Sequence, residues 1–228
     1  MDLVFEQEGR RCVQVAAGVI AGWTARDSSA VEHHIGELAA LGVPRPSTVP
    51  LFYRVASSLF TTSSSIEVVG THSSGEVEPV LYSEEGRIWL GLGSDHTDRK
   101  LESHSVALSK QVCAKPVAHT FWAFPEVEDH LDQLELRSWT RQRELEEWAL
   151  YQQGTLAAMR PLLELARAAP LATQDGNLPP ATIMMCGTLG VLTGGVRASR
   201  FFRVELKDPV RGRTIEHVYE TVVLPVVS

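Results

Sequence analysis

Glu76 and Glu78 stand two residues apart in Ser74-Gly-Glu-Val-Glu-Pro-Val-Leu-Tyr82, a run with the composition of a β-strand. Alternate residues of a strand share a face, so both carboxylates project into one space. Two like charges held there favour protonation unless a counter-charge is supplied. A divalent cation supplies one, and Asp95, in Gly93-Ser-Asp-His-Thr-Asp-Arg-Lys100, is a third oxygen ligand for it. Three carboxylates with no thiolate or imidazole suit a hard ion, Mg2+ or Mn2+ with Ca2+ also admitted, rather than zinc. Against a dication they leave one negative charge, which Lys110 offsets so that an anionic substrate can enter. Each element alone has a plainer reading: E-x-E as a solvated strand face, Asp after Gly-Ser as a turn residue, and a lysine near a helix C-terminus as dipole compensation. Their combination within one span is what points to a cation site.

Other chemistry-bearing residues are sparser. His34 and Glu37 are three apart in a helical pattern, a spacing that lets a carboxylate orient and charge-stabilise an imidazole. An exposed helix with an incidental pair is the alternative. His96 and Asp98 are further candidates for ligands or for groups behind the ligands. Gly187-Thr-Leu-Gly-Val-Leu-Thr-Gly-Gly195 is a glycine-rich turn whose backbone can approach an anion, although neither a Walker spacing nor GxGxxG is present. The serines at 57–58 and 63–65 lack the G-x-S-x-G of a nucleophile elbow, which argues against a serine hydrolase.

The elements that must position these residues are mostly strands. Residues 2–6 and 11–17 read as a hairpin turning at Gly9-Arg10, the second strand continuing through Gly22. Asp27 to Gly42 opens with capping residues, keeps Val31, Ile35, Leu38 and Leu41 at helical spacing, and stops at glycine. Strands are expected over Leu51–Val55 and Ile66–Val69. The Glu76–Glu78 strand turns at Gly86 and returns as Arg87–Leu92, which brings Asp95 back to the two glutamates. Pro79, with no N–H to donate, predicts an edge or a bulge. A capped helix is expected from Thr97 or Asp98 to about Val112. Leu134–Trp139 and Glu146–Gln152 read as a hairpin, and Leu156–Ala168 as a helix regular only after Pro161. Ala181–Cys186 is a buried strand, and Arg200–Lys207 with Arg213–Glu220 a final hairpin around Asp208-Pro209 and Gly212.

The 228 residues suffice for a substantial core, and the net charge of -7 with no basic stripe argues against a nucleic-acid partner. Cys12, Cys113 and Cys186 are odd in number and widely spaced, so neither a disulfide framework nor a zinc motif is indicated. No segment has a signal-peptide pattern or the ~18 apolar residues of a membrane span. A cytoplasmic protein without membrane association is expected. It reads as a single domain over 1–228, with residues 1 to about 50 as a candidate small N-terminal lobe.

Taken in order, the motifs resemble those of the fumarylacetoacetate hydrolase superfamily. His34-Ile-Gly-Glu37 resembles its H-x-x-E. Pro50-Leu-Phe-Tyr-Arg-Val-Ala-Ser-Ser58 resembles P-x-F-x-K-P-x-S-S, with Arg54 where lysine is usual. Gly75-Glu-Val-Glu78 matches the metal-binding E-x-E, and Ser94-Asp-His-Thr-Asp-Arg99 is similar to N-D-V-S-A-R-D. Ser109-Lys110 falls at the lysine of G-K-S-F-D, Gln153-Gly-Thr155 resembles the Q-x-G-N-T turn, and Cys186-Gly-Thr-Leu189 resembles T-G-T-P. Gln111-Val-Cys113 replaces the residues after the lysine, Leu189 replaces proline and Asp98 replaces alanine, the marks of a divergent branch.

The resemblance implies an α+β fold, a mixed-sheet β-roll or barrel-like body with few short helices, as a homodimer. It implies Mg2+ or Mn2+ on Glu76, Glu78 and Asp95, substrate contacts from Lys110, Thr188, Gly187 and Arg54, and His34–Glu37 as a dyad that activates water. The chemistry that follows is C–C hydrolysis of an acylpyruvate-like or other 1,3-dicarbonyl acid through a metal-stabilised enolate. Decarboxylation, hydration or isomerisation of a 2-oxo acid shares the first half of that reaction. A non-catalytic metal or ligand binder on the same fold is the rival from another class. It would need the acids but neither a base nor Lys110.

Overall fold

The computed structural model describes residues 1–40, 42–192 and 194–227, the side chains of His34, Glu37 and Leu38 apart. The chain opens with β1 (Asp2–Phe5), β2 (Gly9–Cys12), β3 (Ala17–Gly22), the helix α1 (Ser28–Ala40), β4 (Leu51–Val55), β5 (Phe60–Thr61), β6 (Ser65–Val69) and β7 (Ser73–Ser74). The long hairpin β8 (Val77–Glu84) and β9 (Arg87–Ser94) comes next, then β10 (Thr97–Asp98), α2 (Arg99–Glu102), α3 (Val106–Gln111), β11 (Lys115–Pro116) and β12 (Thr120–Ala123). The last part holds β13 (Glu135–Arg141), β14 (Ala149–Thr155), α4 (Leu162–Ala168), β15 (Thr182–Met185), β16 (Phe201–Asp208) and β17 (Arg213–Leu224).

An eight-stranded sheet runs β2-β1-β12-β9-β8-β15-β3-β4 and a five-stranded sheet runs β14-β13-β16-β17-β6. Parallel pairs (β1 with β12, β15 with β3, β17 with β6) interrupt otherwise antiparallel ladders. Mixed sheets with a few short helices are the α+β class expected.

Alternation along β8 and β9 gives this hairpin two buried faces. Val77, Leu81, Leu90 and Leu92 join Leu136, Val204 and Leu206 of the five-stranded sheet in one core. Val80, Tyr82 and Trp89 look the other way, into a second core with Ile20, Phe121, Ile183 and Met185. Each fully buried side chain of this size contributes about 1.5–3 kcal/mol, so the hairpin is held from both sides.

Four expectations are corrected. The strand expected over residues 11–22 is two: β2 pairs with β1, whereas β3 crosses to lie between β15 and β4. Pro79 is on neither an edge nor a bulge but in β8, between β9 and β15. Its carbonyl still accepts from the Cys186 N–H (3.1 Å) at the last rung on the β15 side, so only the reciprocal bond at the end of that ladder is missing. The helix expected over 98–112 is broken into α2 and α3, because Ser105 accepts from the Leu108 N–H and starts a second helix. The partner of β13 is shifted to Ala149–Thr155, three residues later than predicted at both ends.

Candidate active site

Glu76 immediately precedes β8. Its N–H donates to Asp95 O (3.2 Å) and the Asp95 N–H donates back to Glu76 O (2.9 Å), while Glu78 sits opposite Gly93. Directly opposed residues and alternate residues share a face, so the backbone sends Glu76, Glu78 and Asp95 to the same side of the hairpin. The expected convergence is therefore built by register alone.

Two lysines meet Asp95, which is fully buried. The Lys110 ammonium donates to Asp95 Oδ2 and to Thr97 Oγ1 (3.3 Å), and Lys115 Nζ lies 3.0 Å from Oδ1. Burial alone would favour the neutral acid, but these ammonium groups hold the Asp95 carboxyl well below the usual range. For Lys110 burial works against the charge, and Asp95, Glu76 and Glu78 more than restore it, so the group stays an ammonium. Lys110 reaches the acids because Asp98 caps α2 by accepting from the Lys100 and Leu101 N–H groups (3.0 and 2.9 Å). Ser105 then restarts the chain as α3, whose last turn carries the lysine.

Glu78 is differently placed. Its Oε2 accepts the Gly187 N–H (2.8 Å), and it forms no ion pair among the described residues. Burial, reinforced by the charges of Asp95 and Glu76, pushes its carboxyl well above the usual range. Only glycine allows this approach at position 187: φ is +96°, and a Cβ there would lie 1.8 Å from Thr24 Oγ1. Glu76 is held by Arg99, whose Nη2 lies 2.9 Å away; the same guanidinium reaches Glu102 (3.0 Å) and Ser74 Oγ (2.7 Å).

Thr188 Oγ1 donates to Val77 O (2.7 Å) and accepts from Gln152 Nε2 (2.9 Å); Gln152 Oε1 in turn accepts from the Val77 N–H (3.0 Å) and Ser138 Oγ (2.9 Å). Gln152, not Gln153, is thus the buried glutamine of the Gln-Gln-Gly stretch. The sequence reading is off by one, and a one-residue slip reverses the face of a strand. Arg54 is not brought to the acids. It is exposed on β4 with Nε donating to Gly18 O (3.3 Å), and alternation gives the site side to Tyr53, whose ring centroid is 5.7 Å from Lys110 Nζ. His34 and Glu37 fall on α1, but their side chains lie outside the described residues.

His96 and Asp98 have structural partners. His96 is fully buried between Ser73 Oγ on Nδ1 (2.9 Å) and Tyr219 OH on Nε2 (2.9 Å), and burial drops its pKa to about 3, so the ring is neutral. Gly75 leaves room for it, since a Cβ would stand 2.7 Å from His96 Nε2 and 2.6 Å from Tyr219 OH. Asp98 is spent on its cap. Sequence reasoning also missed Lys115 and Glu102, and gave Arg99 only a place in a motif. A lone lysine in Cys113-Ala-Lys-Pro-Val-Ala118 was the available signal, because a cation in an apolar run requires a buried partner.

Among the described residues no three His, Cys, Asp or Glu side chains are grouped closely enough to enclose a cation; here Asp95 faces two lysines and Glu76 an arginine. The donor set still fits a hard dication. It is oxygen only, Glu78 carries like charges beside it with a single N–H donor, and Asp95 Oδ1 is buried without a well-directed hydrogen bond.

Comparison with known proteins bears on the fold. A family model described as "Protein of unknown function (DUF2848)" matches residues 21–219. Among solved structures, 2-keto-3-deoxy-D-arabinonate dehydratase complexed with magnesium and 2,5-dioxopentanoate superposes with a TM-score of 0.65 at 14% identity, covering 97% of this chain and 79% of that one. A fumarylacetoacetate hydrolase family protein from Yersinia pestis CO92 gives 0.63 at 16% identity over 97% of this chain and 100% of its own. The 4-oxalocrotonate decarboxylase from Pseudomonas putida G7, complexed with calcium and acetate, gives 0.59 at 15% over 90% and 77%. A sequence search of curated proteins finds no match. The shared fold is that of the fumarylacetoacetate hydrolase superfamily. No helix among the described residues is long and apolar enough to cross a membrane.

Proposed function

This chain belongs to the DUF2848 family, and on its fold and the geometry of its acid cluster we propose that it is a divalent-metal-dependent enzyme acting on a small 2-oxo acid. The observation that carries the reading is Lys110: a buried ammonium set against Asp95, on the face shared by Glu76 and Glu78. Glu76, Glu78 and Asp95 would hold Mg2+ or Mn2+ through carboxylate oxygens. Such an ion, when bound, supplies Lewis-acid polarisation of a substrate carbonyl.

The residues of the chain then divide the work. Lys110 donates a charged hydrogen bond toward the oxygen that gains charge as an enolate develops, and its raised pKa keeps it a donor at neutral pH. Gly187 holds Glu78 in place, and Gln152 and Thr188 fix the turn that carries Gly187 to the start of β8. Tyr53 lines the Lys110 side with its ring. His34, oriented by Glu37, would take a proton from water for hydrolysis of a C–C bond in an acylpyruvate-like acid.

A second reading, loss of carbon dioxide or water from a 2-oxo acid, is favoured by the solved relatives, a decarboxylase and a dehydratase. It uses the same ion, the same lysine and no His34. Turnover assays with Mn2+-loaded protein over acylpyruvates, oxaloacetate and 3-deoxy-2-oxo sugar acids test both. Acylpyruvate cleavage abolished by His34→Ala supports hydrolysis; turnover indifferent to His34 supports the second reading. No turnover of any 2-oxo acid would sink the proposal.

A further inference from the structure

Lys115 is fully buried in the two-residue strand β11, and its side chain has no route to solvent. An ammonium has three N–H groups. Here Nζ donates to His96 O (2.5 Å) and Lys110 O (2.6 Å) and stands 3.0 Å from Asp95 Oδ1. Two of its N–H groups are aimed at carbonyls, and its contact with Oδ1 is an ion pair whose direction falls short of a hydrogen bond. Lys110 takes the other oxygen. Both oxygens of one carboxylate ligand are thus faced by fixed positive charge from the chain itself.

The two lysines differ in freedom. Lys110 retains a little exposure and lies in the last turn of a short helix, held among the described residues by the side chains of Asp95 and Thr97 alone. Lys115 is locked by backbone carbonyls from both ends of the segment that connects Asp95 to Lys110. We propose that Lys115 is a positioning residue that acts as an internal cation: it fixes Asp95 and the Lys110 backbone, and its charge sets the affinity of the Glu76–Glu78–Asp95 group for a divalent ion low. The inference rests on the metal reading above. The physical reason is competition, since a fixed positive charge beside a ligand oxygen repels a second cation approaching that ligand, in a medium that screens poorly.

The sign of the effect separates this role from a merely structural one. A substitution that only damages packing weakens ion binding, whereas removal of an opposing charge tightens it. Mn2+ affinity of the full chain, measured by calorimetry and by electron paramagnetic resonance, is compared for wild type, Lys115→Gln, Lys115→Met and Glu78→Gln. The expected result is Mn2+ binding at least about tenfold tighter in Lys115→Gln or Lys115→Met, and lost in Glu78→Gln. Unchanged or weaker binding in folded Lys115 variants overturns the proposal while the metal reading stands. No Mn2+ binding by wild type or any variant overturns both. Should neither variant fold, wild type labelled with 15N-lysine decides: the Lys115 ammonium is expected as a slowly exchanging signal that shifts on addition of Mg2+, and its failure to shift overturns the proposal.

Discussion

Two clusters of buried charge can be compared. Around Asp208, the last residue of β16, each carboxylate oxygen is matched. Oδ1 accepts from the Val210 and Arg211 N–H groups (3.1 and 3.0 Å) and from His130 Nε2 (3.0 Å), and Oδ2 from Arg213 Nε (3.2 Å). Arg213 continues to Glu126 (2.8 Å) and Glu6 and covers the Trp122 ring at 4.4 Å. Although burial opposes it, these donors keep the Asp208 carboxyl below its usual range. The cluster ties the five-stranded sheet to the end of β1. At the other cluster like charges are gathered on one face, Glu78 has one donor, and Asp95 Oδ1 has none well directed. The Asp208 carboxylate is matched on both oxygens and ties elements together, whereas the acids at the other cluster keep acceptor capacity, the arrangement on which the proposed metal site rests.

Substitutions break the comparison at different levels. The largest effect is expected for Lys110→Met, with kcat down about 100–1,000-fold on whichever 2-oxo acid is turned over and the far-ultraviolet circular dichroism unchanged. A kcat within threefold of wild type would remove Lys110 from the chemistry. In the matched cluster the pattern inverts. Asp208→Asn leaves Arg213 and His130 with a neutral partner and is expected to cost about 3 kcal/mol in urea unfolding, with kcat unaltered.

His217, in neither cluster, supplies a control for pH. Burial lowers its pKa to about 4, and its Nε2 donates to Ser63 O (3.2 Å). The unfolded chain, with a histidine near 6.5, takes up the proton first. Stability contributed by the neutral ring is therefore complete above about pH 6.5 and is lost as pH falls toward 4, on the order of 2–3 kcal/mol. His217→Gln should flatten the unfolding free energy across that window by this amount, and an unchanged slope would refute the assignment. The smallest effect is at Glu78. With no ion present, Glu78→Gln removes a buried acid crowded by like charges and should raise stability by about 1 kcal/mol, while abolishing any rise in Tm caused by Mn2+. A drop in stability without the ion would show that Glu78 is already satisfied.

Much of the site was legible because its geometry is local. Glu76 and Glu78 share a face by alternation, Gly86 turns the hairpin, and the register that follows brings Asp95 opposite Glu76. Lys110 was legible as a cation in the same span. Arg54 was misplaced, and the motif quoted from Gln153 begins one residue late, for one reason: loosely matched motifs fix a neighbourhood, but the face of a strand is decided by parity, and Tyr53 and Gln152 hold the inward parity. The break between α2 and α3 was hidden because apolar spacing continues across it, while the cap that Ser105 provides is a local signal that this spacing masks.

What the sequence by itself determined is the set of acids and their common direction, since the period of a strand and the length of a turn are short-range properties. Tertiary structure alone decided how their charge is balanced. Lys115 reaches Asp95 through β11 and its pairing with β5, Arg99 reaches Glu76 by way of the cap at Asp98, and Gly187 reaches Glu78 across nearly half of the described chain. Counter-charges act through distance in space and through burial, and neither is written in the spacing of residues along a chain.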